Sequence, residues 1–174
     1  MVREKIGFFG GCFNPPTNIH IELANNLITT KKLDKVIFIP VNDTYIKNGL
    51  ISAEHRLNML KLAIKDYKNL EVDDMEIQEN RKLFAVDAFE LIKQKYSKTC
   101  EPFFIMGSDN FEKMINWKDY SKIKDQQYIV IKRDKNEISS TQIRKMIANN
   151  NNEVQKYLSK EVYEYIKKYE LYKL

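Results

Sequence analysis

The sequence predicts one α/β domain, residues 1–174, built on a doubly wound parallel sheet with a small helical segment at its C-terminus. Two observations predict this fold. Apolar runs rich in β-branched and aromatic residues alternate along the chain with segments whose apolar residues recur at helical spacing. The apolar runs are also continuous at their centres, which is typical of parallel strands buried on both faces.

Each element follows from its own pattern. Strands are expected at residues 5–9, 35–39, 70–75, 101–106 and 127–132, the third being the weakest. Helices are expected at residues 18–30, from 53 onward behind the N-cap Ser52, at 86–96 and at 160–169. Residues 111–123 are predicted to be mixed helix and loop, 139–141 to cap a helix over 142–148, and 149–152 to form a linker. The core built on the sheet would span residues 1–135 and the C-terminal segment residues 136–174.

Charge and composition narrow the function classes. The formal net charge is +5, with the lysines spread along the chain, which suits small polyanionic substrates such as nucleotides. A nucleic-acid partner is not expected, because basic and aromatic residues do not interleave. No stretch is long and apolar enough for a membrane span or a signal peptide. Cys12 and Cys100 stand in unrelated contexts, so we expect reduced thiols in a soluble, cytoplasmic protein.

The chemically informative stretches come directly after strands, where open α/β sheets bind ligands. Behind the first strand, Gly10 and Gly11 would let a phosphate approach the backbone closely. If the next helix begins near residue 18, Thr17 stands at its N-cap and His20 in its first turn, near the positive end of the helix dipole. Taken alone, this stretch also fits an N-cap threonine beside an ordinary histidine.

A second such stretch, residues 138–144, reads Ile-Ser-Ser-Thr-Gln-Ile-Arg. Ser139, Ser140 and Thr141 offer hydroxyls and helix N-terminal amides, which together make an anion site. Arg144 lies about one turn later on the same face, where its planar guanidinium can hold phosphate oxygens. Taken alone, this stretch also fits a plain N-cap followed by a surface arginine.

Together the two stretches resemble the signatures of the bacterial nicotinate-nucleotide adenylyltransferases, members of the nucleotidylyltransferase superfamily. Those signatures are G-G-x-F-[DN]-P-P-H-x-G-H and I-S-S-T-x-I-R, and they stand here at residues 10–20 and 138–144. Between them, residues 52–57, Val86-Asp87, and Gly107-Ser-Asp109 followed by Trp117 resemble family segments in the same order. The resemblance covers nearly the whole chain and implies a Rossmann-like fold.

The resemblance also implies a reaction and a set of site residues. AMP would pass from ATP to nicotinate mononucleotide, giving nicotinate adenine dinucleotide and pyrophosphate in NAD biosynthesis, with Mg²⁺ bound through the ATP phosphates and no metal ligand from the protein. His20, Thr17 and Arg144 would be the catalytic residues, with His20 stabilising charge on the α-phosphate. The residues implied for ATP are Gly10, Gly11, Phe13, Thr17, His20, Gly107, Asp109, Ile138, Ser139, Ser140, Thr141 and Arg144. Those implied for the pyridine mononucleotide are Asn42, Lys47, Phe84, Ala85, Trp117 and Arg133.

Several positions depart from the family pattern. Thr17 replaces the first signature histidine and matches the related phosphopantetheine adenylyltransferases, while Ile19 replaces a glycine. Ile46 replaces a family histidine, Ala85 replaces a threonine, and the connection between residues 133 and 139 is shorter than in the family. Three alternatives stay open: a nicotinamide mononucleotide acceptor, a phosphopantetheine acceptor, and a nucleotide-binding regulatory protein without turnover. A homo-oligomer is also left open.

Overall fold

The computed structural model describes residues 3–30, 32–96, 98–132 and 137–173. Within them, five strands form one sheet: β1 (Glu4–Gly11), β2 (Lys35–Pro40), β3 (Leu70–Val72), β4 (Cys100–Gly107) and β5 (Tyr128–Ile131). Their order across the sheet is β3-β2-β1-β4-β5, and every neighbouring pair is parallel. The predicted parallel α/β sheet is therefore confirmed.

Helices connect and cover these strands. In chain order they are α1 (Asn18–Thr29), α2 (Ala53–Ile64), α3 (Ala85–Tyr96), α4 (Ser108–Lys113), α5 (Tyr120–Ile123), α6 (Ser140–Ala148) and α7 (Lys160–Lys168), with 3₁₀ helices at Met114–Asn116 and Asn152–Tyr157. No helix in this described part of the chain is both long and apolar enough to span a bilayer.

Two predicted boundaries were wrong for local reasons. The helix expected from residue 142 begins at Ser140, because Gln142 reaches back and its Oε1 accepts the Ser139 N–H at 2.8 Å. This reciprocal cap makes Ser139 alone the N-cap, so the two residues after it are already helical. The linker expected at 149–152 runs into the 3₁₀ helix Asn152–Tyr157, which Asn151 caps by accepting the Glu153 N–H at 2.9 Å.

Successive side chains of the central strands pack on opposite faces of the sheet. Phe8 and Ile37 belong to the cluster that α3 and α5 cover, whereas Val36 and Phe38 belong to the cluster that α1 and α2 cover. Each of these four side chains is 2% exposed or less. The continuous apolar runs of the sequence thus have the predicted cause, because both faces of the strands are buried.

A third apolar cluster attaches the C-terminal segment to the outside of α2. Met59 of α2 packs with Ile143 of α6 and with Val162 and Ile166 of α7, and all four are 2% exposed or less. This packing sets the start of α6 beside the carboxyl ends of the strands. Residues that are more than 120 positions apart in sequence therefore meet at one edge of the sheet.

Candidate active site

A cleft of about 980 Å³ lies at the carboxyl ends of β1, β2 and β4. Gly10 and Gly11 line it from β1, Val41 from the end of β2, and Met106 and Gly107 from β4. The chain passes from β1 to β2 on one side and returns from β3 to β4 on the other, so the cleft opens where the strand order reverses. Its volume is in the range of sites that enclose a small ligand.

Most of the predicted site residues converge on this cleft. Asn42 and Asp109 do not line it, and Arg133 lies outside the described residues. The predicted residues that line the cleft are Gly10, Gly11, Phe13, Thr17, His20, Lys47, Phe84, Ala85, Gly107, Trp117, Ile138, Ser139, Ser140, Thr141 and Arg144.

Two walls of the cleft differ in composition. We call the first wall the turn side. It consists of residues 10–20, which run from the end of β1 through the turn to the first residues of α1, and of residues 138–144 at the start of α6. The rim side consists of residues 45–47, residues 82–85, Trp117 and Lys118, all of which line the same cleft.

The glycines of the turn side leave its floor open. A side chain at Gly10 would meet nothing within 4 Å, so the end of β1 is exposed directly to the cleft. At Gly11 the ring of Phe13 already lies 3.0 Å from the position that a Cβ would take. Phe13 itself is buried and meets the His20 ring edge-to-face at 5.3 Å. The turn is therefore packed against Phe13 at Gly11 and open to the cleft at Gly10.

His20 is held in one orientation by Thr17. The backbone N–H of Thr17 donates to His20 Nδ1 at 3.0 Å, and the Thr17 hydroxyl oxygen lies 2.8 Å from the same nitrogen. Because Nδ1 accepts this N–H, a neutral imidazole carries its proton on Nε2. The arrangement offers a hydrogen-bond donor at the start of α1, where the helix dipole favours an anion.

Thr17 stands at the N-cap of α1 and lines the cleft, as predicted, and it also contacts His20. Its side chain is 3% exposed, and its hydroxyl is directed to the imidazole. Thr17 therefore orients His20, and its direct contact with ATP stays a prediction.

The start of α6 lies against the turn, on the same wall of the cleft. The Ser139 hydroxyl oxygen accepts the Gln142 N–H at 3.2 Å, whereas the Ser140 hydroxyl donates to the Pro15 carbonyl at 3.0 Å. Arg144 donates from Nη1 to the Asn14 carbonyl at 3.0 Å. Two side chains of α6 thus fix the turn, and the N-terminal end of the helix remains directed at the cleft.

Arg56, which the sequence analysis missed, joins the turn to the neighbouring loop. Its side chain is fully buried and donates to the carbonyls of Ile51 at 3.0 Å, Cys12 at 3.1 Å and Val41 at 2.7 Å. Asp43 supplies a carboxylate oxygen 3.4 Å from the same guanidinium. One buried cation therefore joins the turn to both ends of the loop between β2 and α2.

The rim side presents cations around an aromatic ring. The Lys118 and Lys82 Nζ atoms lie 4.5 and 5.3 Å from the centroid of the Phe84 ring. Phe84 also precedes α3, so the positive end of that helix faces the cleft through Ala85. This end of the cleft is suited to an aromatic ligand that carries negative charge.

The backbone N–H of Phe84 already has a hydrogen-bond partner. It donates to the Asp87 carboxylate at 2.7 Å, and this hydrogen bond lowers the pKa of Asp87. A ligand that used the amide of Phe84 would therefore compete with the Asp87 carboxylate. The side chain of Phe84 still lines the cleft.

Asn42 and Asp109 are placed away from the lining. The amide of Asn42 is buried and donates to the carbonyls of Glu79 at 3.0 Å and Arg81 at 2.9 Å, while its oxygen accepts the Thr44 hydroxyl at 2.7 Å. Its side chain holds two loops together and has no capacity left for a substrate. Asp109 is exposed in the first turn of α4, next to the cleft-lining Asn110.

One further group in the cleft, Glu76, had no signal in the sequence, and the predicted residue Lys47 makes a contact that the sequence did not indicate. Glu76 is 8% exposed and lines the cleft, and burial raises the pKa of its carboxyl to about 7 against the opposing effect of Arg56. The Lys47 Nζ lies 3.9 Å from the Cys12 sulfur, bridging the two sides. The burial of Glu76 and the contact of Lys47 with Cys12 both depend on how separate loops pack together, which no local sequence pattern indicates.

Comparisons with known proteins agree with this geometry. The cytidylyltransferase-like family model matches residues 8–146. A protein of Lactococcus lactis subsp. lactis named "Probable nicotinate-nucleotide adenylyltransferase" is 32% identical over 190 aligned positions, covering 98% of this chain and 96% of the relative. A protein of the same name from Maridesulfovibrio salexigens is 36% identical over 121 residues, covering 68% of this chain and 56% of the relative. The matched stretch thus spans little more than half the length of that relative.

A solved structure shows the same fold. The Plasmodium falciparum nicotinic acid mononucleotide adenylyltransferase complexed with NaAD superposes with a TM-score of 0.77 at 20% identity, covering 97% of each chain. The family model matches most of the chain, and the Lactococcus relative aligns over nearly its full length, so the two together show the family. The chain belongs to the cytidylyltransferase-like family and to its nicotinate-nucleotide adenylyltransferases.

Proposed function

We propose that this protein transfers AMP from ATP to nicotinate mononucleotide and releases pyrophosphate. The observation that carries the proposal is the orientation of His20, whose Nδ1 accepts the Thr17 N–H in a cleft that also receives the start of α6. The N–H at Nε2 can donate a hydrogen bond to an α-phosphate oxygen and so stabilise the charge that builds up there in the transition state. The relatives that carry the name of this activity support the same assignment.

ATP is assigned to the turn side. The open backbone at Gly10 accepts a bulky phosphate, and the first amides of α6 stabilise negative charge on the leaving pyrophosphate. Arg144 lies one turn into α6 and is already aligned by the Asn14 carbonyl. The protein's contribution is alignment and charge stabilisation, since the attacking group is itself an anionic phosphate and needs no general base.

The pyridine mononucleotide is assigned to the rim side. Trp117 is half-buried and can stack on a pyridine ring, and Lys82, Lys118 and the positive end of α3 favour a ring that carries a carboxylate. Lys47 lies near the turn and can reach the phosphate of the same ligand. These charges favour the carboxylate of nicotinate mononucleotide over the uncharged carboxamide of nicotinamide mononucleotide.

Mg²⁺ is proposed to enter with ATP. The phosphate end of the cleft is lined by hydroxyls, helix amides and Arg144 rather than by paired carboxylates, and this donor set fits an ion that keeps its waters and binds phosphate oxygens. When bound, the ion would neutralise part of the charge on the leaving pyrophosphate.

We also infer that the protein works in the cytoplasm. The two cysteines, Cys12 and Cys100, are free thiols in the structure, as is usual in a reducing compartment. Fractionation of the source cells followed by immunodetection checks this inference, and recovery in an extracytoplasmic fraction would refute it.

Pyrophosphate release from ATP and Mg²⁺ tests the proposed function. Nicotinate mononucleotide, nicotinamide mononucleotide and phosphopantetheine are offered separately, and kcat/KM is compared among them. We expect a clear preference for nicotinate mononucleotide. Release with phosphopantetheine alone would keep ATP on the turn side and overturn the acceptor. Binding of ATP without pyrophosphate release in the presence of any of the three acceptors would indicate a regulatory protein instead.

A further inference from the structure

Asn14 is the point at which four separate parts of the chain meet. It lies in the turn side and lines the cleft, yet its side chain is 3% exposed. Its carbonyl accepts from Arg144, its amide nitrogen donates to the Gly49 carbonyl at 2.7 Å, and its amide oxygen accepts from Tyr172 at 2.9 Å. The turn is thus connected to α6, to the loop that follows β2, and to the C-terminal residues.

The orientation of the Asn14 amide is fixed by its backbone neighbours. The Gly49 carbonyl requires a donor and therefore faces Nδ2, while the Ile51 N–H, 3.5 Å away, requires an acceptor and faces Oδ1. The Tyr172 hydroxyl must consequently donate to Oδ1. Since the contact with Ile51 is long, Tyr172 is the principal partner of this oxygen.

The Tyr172 hydroxyl reaches the turn through its hydrogen bond to Asn14. Burial raises the pKa of this hydroxyl, although the neighbouring Arg144 and Arg56 oppose the rise, so the hydroxyl keeps its proton and remains a donor. The side chain packs against the third apolar cluster and is not part of the cleft lining. Its hydroxyl reaches the turn from a position 158 residues away in sequence.

We propose that Tyr172 is a positioning residue for ATP binding, holding the turn side in its binding geometry through the amide of Asn14. The inference rests on the proposed binding of ATP to the turn side. Without the hydroxyl, the Asn14 oxygen loses its main partner, and the turn can adopt other arrangements. The apparent affinity for ATP then falls in proportion to the fraction of molecules with the competent turn.

The substitution Tyr172→Phe tests this inference, because it removes one hydroxyl and keeps the ring in the apolar cluster. Tyr165→Phe is the matched control, since the Tyr165 hydroxyl is also hydrogen-bonded within the fold, to His55 Nδ1 at 3.0 Å and Asn58 Nδ2 at 3.2 Å, but lies away from the cleft. The Kd of Mg²⁺·ATP is measured by calorimetry for both variants, together with the thermal midpoint. We expect Tyr172→Phe to raise the Kd about fivefold, the value for loss of one ordinary hydrogen bond.

The matched pair separates positioning from stability. Both variants lose a hydrogen bond and both are expected to unfold at a lower temperature, whereas only Tyr172→Phe should bind ATP more weakly. An unchanged Kd in Tyr172→Phe, or an equal rise in Tyr165→Phe, would overturn the inference and leave the proposed function intact. Failure of the unaltered protein to bind ATP would overturn the proposed function and the inference with it.

Discussion

The two sides of the cleft are built in different ways. On the turn side, polar groups bond to one another: Thr17 holds His20, and Arg144 and Tyr172 hold Asn14. On the rim side, large side chains are exposed: Ile46 is 86% exposed and Phe84 is 40% exposed. A preformed side can stabilise a transition state without reorganising, whereas exposed side chains order only when a ligand covers them. Substitutions on the two sides should therefore change different kinetic constants.

The largest expected effect comes from His20 on the turn side. His20→Ala should lower kcat by about 100- to 1,000-fold, as for loss of one donor to developing charge. His55→Ala is the control, because the second histidine of the chain contacts Tyr165 and Tyr169 and does not line the cleft. Steady-state pyrophosphate release measures both. A similar loss in the two variants would remove His20 from its proposed role.

Glu76 provides a test by pH, since it is the buried carboxyl beside Tyr45 of the rim side. Burial raises its pKa from 4.5 to about 7. Between these values the folded protein retains a proton that the unfolded chain has lost, so the free energy of unfolding falls as pH rises from 4.5 to 7 and levels above 7. A rise of this size corresponds to about 3 kcal/mol.

Glu76→Gln removes this titration. The variant should be more stable than the unaltered protein at pH 8, by roughly 2 kcal/mol after the cost of burying the amide, and its stability should change less between pH 5 and 8. Urea unfolding across this pH range measures the effect, with Glu22→Gln, at an exposed position of α1, as the control. Equal pH dependence in all three proteins would mean that Glu76 titrates normally.

Trp117 tests the rim side itself. Trp117→Ala should raise the KM for nicotinate mononucleotide about tenfold through loss of stacking, and should leave the KM for ATP unchanged. Phe111→Ala is a suitable control, because Phe111 is also a partly exposed aromatic residue but contacts Tyr128 outside the cleft. If the KM for ATP rose instead, the assignment of the two substrates to the two sides would have to be exchanged.

The smallest effect is expected at Ile19, whose side chain lines the cleft where the family signature has glycine. Ile19→Gly should lower the Kd of ATP by giving the nucleotide more room, at a cost of about 1 kcal/mol in stability for a glycine in α1. Ile19→Ala gives room without the added backbone freedom. Weaker ATP binding in both variants would show that the isoleucine contributes a favourable contact.

The fold and the turn side could be predicted because their signals are local. Apolar runs marked the strands that are buried on both faces, and the two signature stretches marked the ends of β1 and the start of α6. Position after a strand does not determine where a side chain points, however. Asn42 follows β2 as expected, but its amide is used by the Glu79 and Arg81 carbonyls.

The remaining features depend on contacts between distant segments. Arg56 gave no pattern that separates it from a surface arginine of α2, and its burial follows from three carbonyls that only the fold brings together. The pairing of Tyr172 with Asn14 spans 158 positions and is equally invisible in the sequence. Such contacts are long-range consequences of packing, and only a structure reveals them.

Amide hydrogen exchange, measured with ATP and then with the reaction product, tests most directly whether ATP binds the turn side and the pyridine mononucleotide binds the rim side. With ATP and Mg²⁺ alone, we predict slower exchange at residues 10–20 and 138–144 and little change at residues 45–47, 82–85 and 117–118. The product nicotinate adenine dinucleotide, bound in place of ATP, should protect the turn side and these rim segments together. Protection of the rim segments by ATP alone, with the turn side unaffected, would contradict the account.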